Sequence, residues 1–164
     1  MLDWNTPKLS DKEWIEKCVK ESQYIGSDAA FANIYLLRSK YNIKVTYYKD
    51  LLIRYYEGLG NREGYTFPLG RKDVLSALYA IEQDAKQMNR PLEFCFVTEE
   101  QKEILENTFA GRTESSSDAG DYDYIYGQPE LSLLSGRTYH KKKNHVSKFK
   151  RTYEDYMFCE IGNG

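Results

Sequence analysis

The stretch Ile43-Lys44-Val45-Thr46-Tyr47-Tyr48-Lys49-Asp50-Leu51-Leu52-Ile53-Arg54-Tyr55-Tyr56 decides the fold. β-branched and aromatic residues crowd both of its halves, and such side chains favour the extended backbone of a strand. Lys49-Asp50 interrupts them with two polar residues. Two strand-forming runs around a two-residue break read as an antiparallel hairpin.

Outward from that hairpin, the C-terminal direction alternates between strands and helices. Gly58, Gly60, Asn61 and Gly64 form a loop. Residues 65–69 read as a short strand, with Pro68 suited to its end or to a bulge because proline cannot donate to a ladder. Gly70-Arg71-Lys72-Asp73 leads into a helix over residues 74–88, whose core face carries Val74, Leu78 and Ile81. Ala77 and Ala85 are its close-packing positions, and Arg90-Pro91 stops it. Residues 92–97 form a buried strand. Thr98-Glu99-Glu100-Gln101 is a capping box for a helix that runs to about residue 109. Residues 111–121 are a polar, Ser-rich loop. Residues 122–126 alternate like a strand, residues 129–134 make a short helical turn, residues 136–153 a basic helix, and residues 156–161 a last strand.

Toward the N-terminus two helices precede the hairpin. Ser10-Asp11-Lys12-Glu13 is a capping box for a helix with Trp14, Ile15, Cys18 and Val19 on one side. Ser27 or Asp28 caps a second helix over residues 29–39, with Phe31, Ile34 and Tyr35 at helical spacing. The order implies an α/β (α+β) fold with a mixed central sheet and helices on both faces, because one layer of helices could not cover so many apolar strands.

Of the 164 residues, 41% are hydrophobic and 29% are charged, the profile of a soluble domain with a real core. No apolar run reaches the roughly 20 residues needed to span a bilayer. The start Met1-Leu2-Asp3-Trp4-Asn5 is no secretory signal, so a cytoplasmic location is expected. Cys18, Cys95 and Cys159 are widely spaced and odd in number, with no CxxC pair, which favours buried or partly buried thiols over metal binding or a catalytic cysteine.

Charge is unevenly spread. Residues 1–136 carry 22 acids and 16 Lys/Arg, whereas residues 137–151 carry seven Lys/Arg, no acid and both histidines of the chain.

Three words of the sequence resemble the family named for the C-terminal domain of phosphatidylglycerol lysyltransferase. They are Ser27-Asp28-Ala29-Ala30-Phe31-Ala32-Asn33-Ile34-Tyr35-Leu36-Leu37-Arg38, Thr66-Phe67-Pro68-Leu69-Gly70, and Leu134-Ser135-Gly136-Arg137-Thr138-Tyr139-His140-Lys141-Lys142-Lys143-Asn144-His145-Val146-Ser147-Lys148-Phe149. The element order is similar to the GNAT acetyltransferase fold without its first strand. The resemblance implies two such domains in tandem. Residues 1–135 would then be a degenerate first domain, with residues 136–164 leading toward a second, absent one. It also implies an intact protein that transfers an acyl or aminoacyl group from acyl-CoA or aminoacyl-tRNA, with no cofactor expected in this chain and little activity alone.

In GNAT enzymes a Gly-rich turn at a helix N-terminus cradles the cofactor diphosphate. The equivalent turn here, Phe67-Pro68-Leu69-Gly70-Arg71-Lys72-Asp73, has one glycine and ends on an acid. Gly70, Arg71 and Lys72 are weak candidates for a cofactor contact, against an ordinary strand-to-helix turn.

The basic segment offers Arg137, His140, Lys141, Lys142, Lys143, Asn144, His145 and Lys148 as partner- or anion-binding residues. Tyr139, Val146, Phe149 and Tyr153 form an apolar stripe along it. Three readings stay open: a solvated helix, a face for the absent second domain or for self-association, and contact with tRNA or another anion. A non-catalytic module using residues 137–151 on tRNA, anionic lipid or a protein is the alternative to a transferase half.

His140 and His145 lie roughly 140° apart on a helix, so they do not share a metal. Glu57, Glu63, Glu93 and Asp123 stand near strand ends where a general base could act, although each is more simply a solvent-facing acid. No catalytic residue is identified.

Overall fold

The computed structural model describes residues 2–58, 63–122 and 124–159. It divides the chain into two compact units, residues 1–123 and 124–164.

The first unit is built on the hairpin. β1 (Lys44–Tyr48) pairs antiparallel with β2 (Leu51–Glu57), with Val45 opposite Arg54 and Tyr48 opposite Leu51. Lys49 and Asp50 both take positive φ, 51° and 66°. Two left-handed residues match the natural twist of the two strands, which is why this hairpin closes in two residues. The outer edge of β1 is covered by the N-terminal segment: Asn5 and Val45 exchange backbone hydrogen bonds of 3.0 and 2.8 Å.

The expected strand over residues 65–69 is two pieces. β3 (Glu63–Thr66) pairs with the far half of β2, and β4 (Leu69–Gly70) with its near half, Leu52 opposite Leu69. The registers differ by one residue, so Phe67-Pro68 is the bulge that Pro68 required. β5 (Phe94–Cys95) runs parallel to β3 and is shorter than the predicted 92–97, because Phe96 turns away at φ 55°. Gly64 permits this pairing: at φ 119° its Cβ would stand 2.7 Å from the Glu93 carbonyl oxygen.

Helices cover both faces of this mixed sheet, as expected. α1 (Lys12–Ser22) and α2 (Phe31–Leu36) pack Ile15, Cys18, Phe31 and Ile34 on Val45, Leu52, Tyr56 and Leu69. α3 (Leu75–Gln87) and α4 (Glu99–Thr108) pack Ala77, Leu78, Ile81, Ala85 and Leu105 on Leu51, Ile53, Tyr55 and Tyr65. β2 is therefore buried from Leu51 to Tyr56 on both sides.

Several boundaries differ from expectation. The Ser10 capping box does not form: Asp11 precedes α1 without a side-chain cap bond, because three residues of 3₁₀ helix come first and Asp11 Oδ2 accepts the Lys8 amide at the start of that turn, at 2.7 Å. α2 stops at Leu36, and Asp28 is drawn into an ion pair instead of capping it. α3 ends as Arg90-Pro91 demanded, with Asn89 left-handed at φ 49° and the Arg90 amide returning to the Ala85 carbonyl at 3.0 Å. The Thr98 capping box forms, with reciprocal bonds of 3.1 and 3.3 Å to Gln101.

The second unit holds α5 (Gln128–Leu133) and α6 (His140–Thr152), the latter preceded by a 3₁₀ turn at Arg137–Tyr139. The strands expected at 122–126 and 156–161 do not form among the described residues, because no neighbouring strand offers them a ladder; Asp123 and residues 160–161 lie outside those residues, as do Gly60 and Asn61 of the expected loop. None of the described residues from 124 to 159 is buried.

Candidate functional site

The turn from β4 to α3 is held by close backbone approach. Gly70, at φ 152°, lies so near the hairpin that a Cβ would meet the Asp50 carbonyl oxygen at 2.6 Å. Arg71 and Lys72 follow it into solvent. Asp73 folds back and its Oδ1 accepts the Leu75 amide at 2.9 Å. The first amide that α3 could offer an anion is thus already bonded to a carboxylate, which also repels phosphate.

A shallow groove brings Arg71 and Lys72 together with Lys17 and Glu21 of α1 and Asp50 of the hairpin turn. Lys72 Nζ lies 3.7 Å from Asp50 Oδ2, and the Tyr47 hydroxyl donates to Asp50 Oδ1 at 2.7 Å. That hydroxyl, followed by the charges of Lys72 and Lys17, holds the Asp50 carboxyl below its ordinary range, while the same bond pushes Tyr47 up to about 12. Sequence reading found Arg71 and Lys72 but missed their neighbours, since only folding brings α1 and the hairpin beside them.

The central strand carries a buried polar group that sequence reading did not single out. Arg54 is 1% exposed. Its Nη1 donates to the Asp28 carbonyl oxygen at 2.8 Å and lies 2.8 Å from Asp28 Oδ2. Tyr24 donates to Asp28 Oδ1 at 2.8 Å, and Tyr56 OH lies 3.2 Å from Arg54 Nη1. Burial opposes the guanidinium charge, but Tyr56 and Asp28 beside it outweigh burial and keep it charged. The signal was present: an arginine inside a run of apolar strand residues must find a partner.

Cys95 lies on the same side of the sheet, its thiol pushed up to about 12 by burial; burial raises Cys18 to about 11. Neither is a poised nucleophile at neutral pH. Among the described residues no group of three or more His, Cys, Asp or Glu could hold a metal.

Opposite these, on α3, Asp84 accepts from Leu2 N, Trp4 Nε1, Tyr65 OH and Arg90 Nη2 at 3.3, 3.1, 2.8 and 2.7 Å. This cluster ties the N-terminal segment to the core.

The basic segment is helical over most of the expected 136–153. Arg137 is in the 3₁₀ turn, and His140, Lys141, Lys142, Lys143, Asn144, His145 and Lys148 are in α6, none of them buried. Lys142 Nζ stands 4.7 Å from the Tyr126 ring centroid. Phe149 packs on Tyr153 and Tyr156 at 5.0 and 5.3 Å between centroids, yet all three stay exposed. Of the four candidate bases, Glu57, Glu63 and Glu93 are strand-end acids; Glu57 bonds Asn42. Asp123 lies outside the described residues.

Known proteins can now be set beside this geometry. The family model for the C-terminal region of phosphatidylglycerol lysyltransferase matches residues 20–158. No curated protein matches the chain. A solved structure similar to it is that of a conserved protein of unknown function from Bacteroides thetaiotaomicron VPI-5482, with 25% identity and a TM-score of 0.87. The match covers 99% of this chain and 54% of that one, so this chain spans about half the length of the solved relative.

Proposed function

Since the chain belongs to the phosphatidylglycerol lysyltransferase C-terminal family, we propose that it is one GNAT-like half of a two-part acyl- or aminoacyltransferase, acting in the cytoplasm and lacking a complete active site by itself. The observation that carries this reading is the Asp73 carboxylate on the Leu75 amide. A diphosphate cradle needs free amides and a positive field at the helix start, and here one amide is taken and a negative charge is added. The twofold length of the solved relative supports a second half. In such a reaction the activated thioester or ester drives transfer, and the protein positions the acceptor and removes a proton.

Calorimetry of acetyl-coenzyme A against the purified chain tests this reading. No heat is expected; micromolar binding seated on residues 70–73 overturns it. The exposed stripe of Val146, Phe149 and Tyr153 is the face offered to the second half, or to another copy when that half is missing.

A second reading has its own observation. Lys141, Lys142 and Lys143 crowd the first turn of α6, where no acid is present. The helix dipole disfavours each cation there by about 0.3–1 kcal/mol, so the arrangement does not serve helix stability. It suits a non-catalytic module whose cations meet the phosphates of tRNA, or an anionic lipid or protein. Reversing the three charges is expected to abolish salt-sensitive tRNA binding; absence of tRNA binding by the natural sequence at low salt ends this reading.

A further inference from the structure

Three buried side-chain atoms make no hydrogen bond among the described residues: Asp28 Oδ2, Arg54 Nε and Thr66 Oγ1. Asp28 Oδ2 still faces the Arg54 charge at 2.8 Å. The other two are left without a partner, although Arg54 and Thr66 are each only 1% exposed. A buried donor or hydroxyl in that state is costly, so a pair of them on one side of a sheet needs an explanation.

The strand register brings the two together. Tyr55 stands opposite Tyr65 in the antiparallel pairing of β2 with β3, so Arg54 and Thr66 meet at the next step. That step is the last before the Phe67-Pro68 bulge changes the register. Side chains alternate along a strand, so Arg54 shares the face of Leu52 and Tyr56, and Thr66 lies on the face opposite that of Tyr65. Thr66 in turn pairs with Cys95 on that same face. Burial raises the Cys95 thiol and the Arg54 charge draws it back, so the guanidinium acts across Thr66 toward β5. Facing side chains of an antiparallel pair hold their Cβ atoms about 4.5–5.5 Å apart, close enough for one small molecule to bridge their polar ends.

We propose that an internal water is bound between Arg54 Nε and Thr66 Oγ1, tying β2 to β3 at the step where their ladder is broken. The chemistry of the two atoms selects it. Arg54 Nε only donates, so the ligand must accept; the Thr66 hydroxyl both donates and accepts. A cation would be repelled by the guanidinium. An anion would compete with Asp28, which already balances that charge. A neutral molecule that accepts and donates, held by two polar partners in a place closed to solvent, is water. The inference rests on the register and the two unpaired atoms, and is independent of the transferase reading.

The test is a crystal structure of the 164-residue chain fine enough to show ordered water, with nuclear Overhauser spectra in solution. A density peak within hydrogen-bond reach of both Arg54 Nε and Thr66 Oγ1 is expected, and a cross-peak from the Arg54 Nε proton to a long-lived water. Thr66→Ser, which keeps the hydroxyl, should retain both signals. Thr66→Val, which keeps the shape and removes the hydroxyl, should lose both. The density also separates a bound water from a signal relayed through the Thr66 hydroxyl. No peak, a direct bond between the two side chains, an anomalous peak there after a bromide soak, or both signals surviving in Thr66→Val overturns the proposal. If Thr66→Val does not fold, the density and cross-peak of the natural sequence still decide.

Discussion

Arg54 Nη1 lies 2.8 Å from Asp28 Oδ2 and links the middle of β2 to the connection between α1 and α2. The contact is an ion pair by distance without hydrogen-bond alignment at Oδ2; the directed hydrogen bond from Nη1 goes to the Asp28 carbonyl oxygen. Such a pair adds little net stability against an apolar replacement of both partners, but losing one partner strands a charge. It anchors the 27–30 segment to the central strand through both the side chain and the backbone of Asp28.

Asp28→Ala is accordingly expected to cost about 3–5 kcal/mol, since it leaves the buried guanidinium unpaired. Arg54→Met/Asp28→Ala should recover part of that loss by removing the stranded charge. Urea unfolding at neutral pH measures both. A single substitution costing under about 1 kcal/mol would show that the guanidinium finds water or another partner.

Asp84 sets an acid limit on stability. Burial alone would raise its carboxyl, but the bonds from Arg90, Tyr65 and Trp4 win and hold it below 3.8. A carboxyl lower in the folded than in the unfolded state contributes stability that is full above the unfolded value, about 3.9, and is lost as pH falls through the folded one. Unfolding free energy should therefore drop on acidification below about pH 4, and Asp84→Asn should flatten that drop while lowering stability at pH 7. Denaturant titrations at pH 3 to 7 check the slope; an unchanged slope in the variant would assign acid sensitivity to other carboxylates.

Asp73 stabilises α3 through the Leu75 amide. Asp73→Ala should cost about 1 kcal/mol, whereas Asp73→Asn, which keeps a capping oxygen, should cost less. Thermal melts resolve the pair, because 1 kcal/mol moves the midpoint by about 2–4 °C in a chain of this size. Equal melting of the two variants and the natural sequence would mean that water replaces this cap at no loss.

Much of the frame was legible because it rests on local chemistry. Lys49-Asp50 set the hairpin, Pro68 the bulge, Arg90-Pro91 the end of α3, and Thr98 with Gln101 the start of α4. What was not legible depends on neighbours distant in sequence. Tyr122 to Tyr126 alternates like a strand, but alternation alone cannot supply a partner edge. Asp28 looked like a helix cap because Arg54, 26 residues away, was not yet in reach. Arg71 and Lys72 were found from their place before α3, while Lys17, Glu21 and Asp50 joined them only through the packing of α1 on the hairpin. The basic run at 137–151 was visible at once, since charge needs no folding to be counted.

Gly70 is the position where that packing is most exposed to a single change. Its φ of 152° is one that a residue with a side chain rarely adopts, and an added Cβ would stand 2.6 Å from the Asp50 carbonyl oxygen and 2.8 Å from Leu51 Cδ2. Neither neighbour can yield easily: Asp50 lies in a two-residue turn with two left-handed residues, and Leu51 is fully buried. Gly70→Ala must therefore push β4 off β2, breaking the pairing of Leu51 with Gly70 and widening the groove at Arg71 and Lys72. The strain is expected to cost about 1–3 kcal/mol. Urea unfolding gives the loss, and the amide shifts of Asp50, Leu51 and Lys72 should move together in the folded variant. If the variant keeps its stability and those shifts stay in place, the close approach of β4 to the hairpin turn is not what holds this corner of the fold.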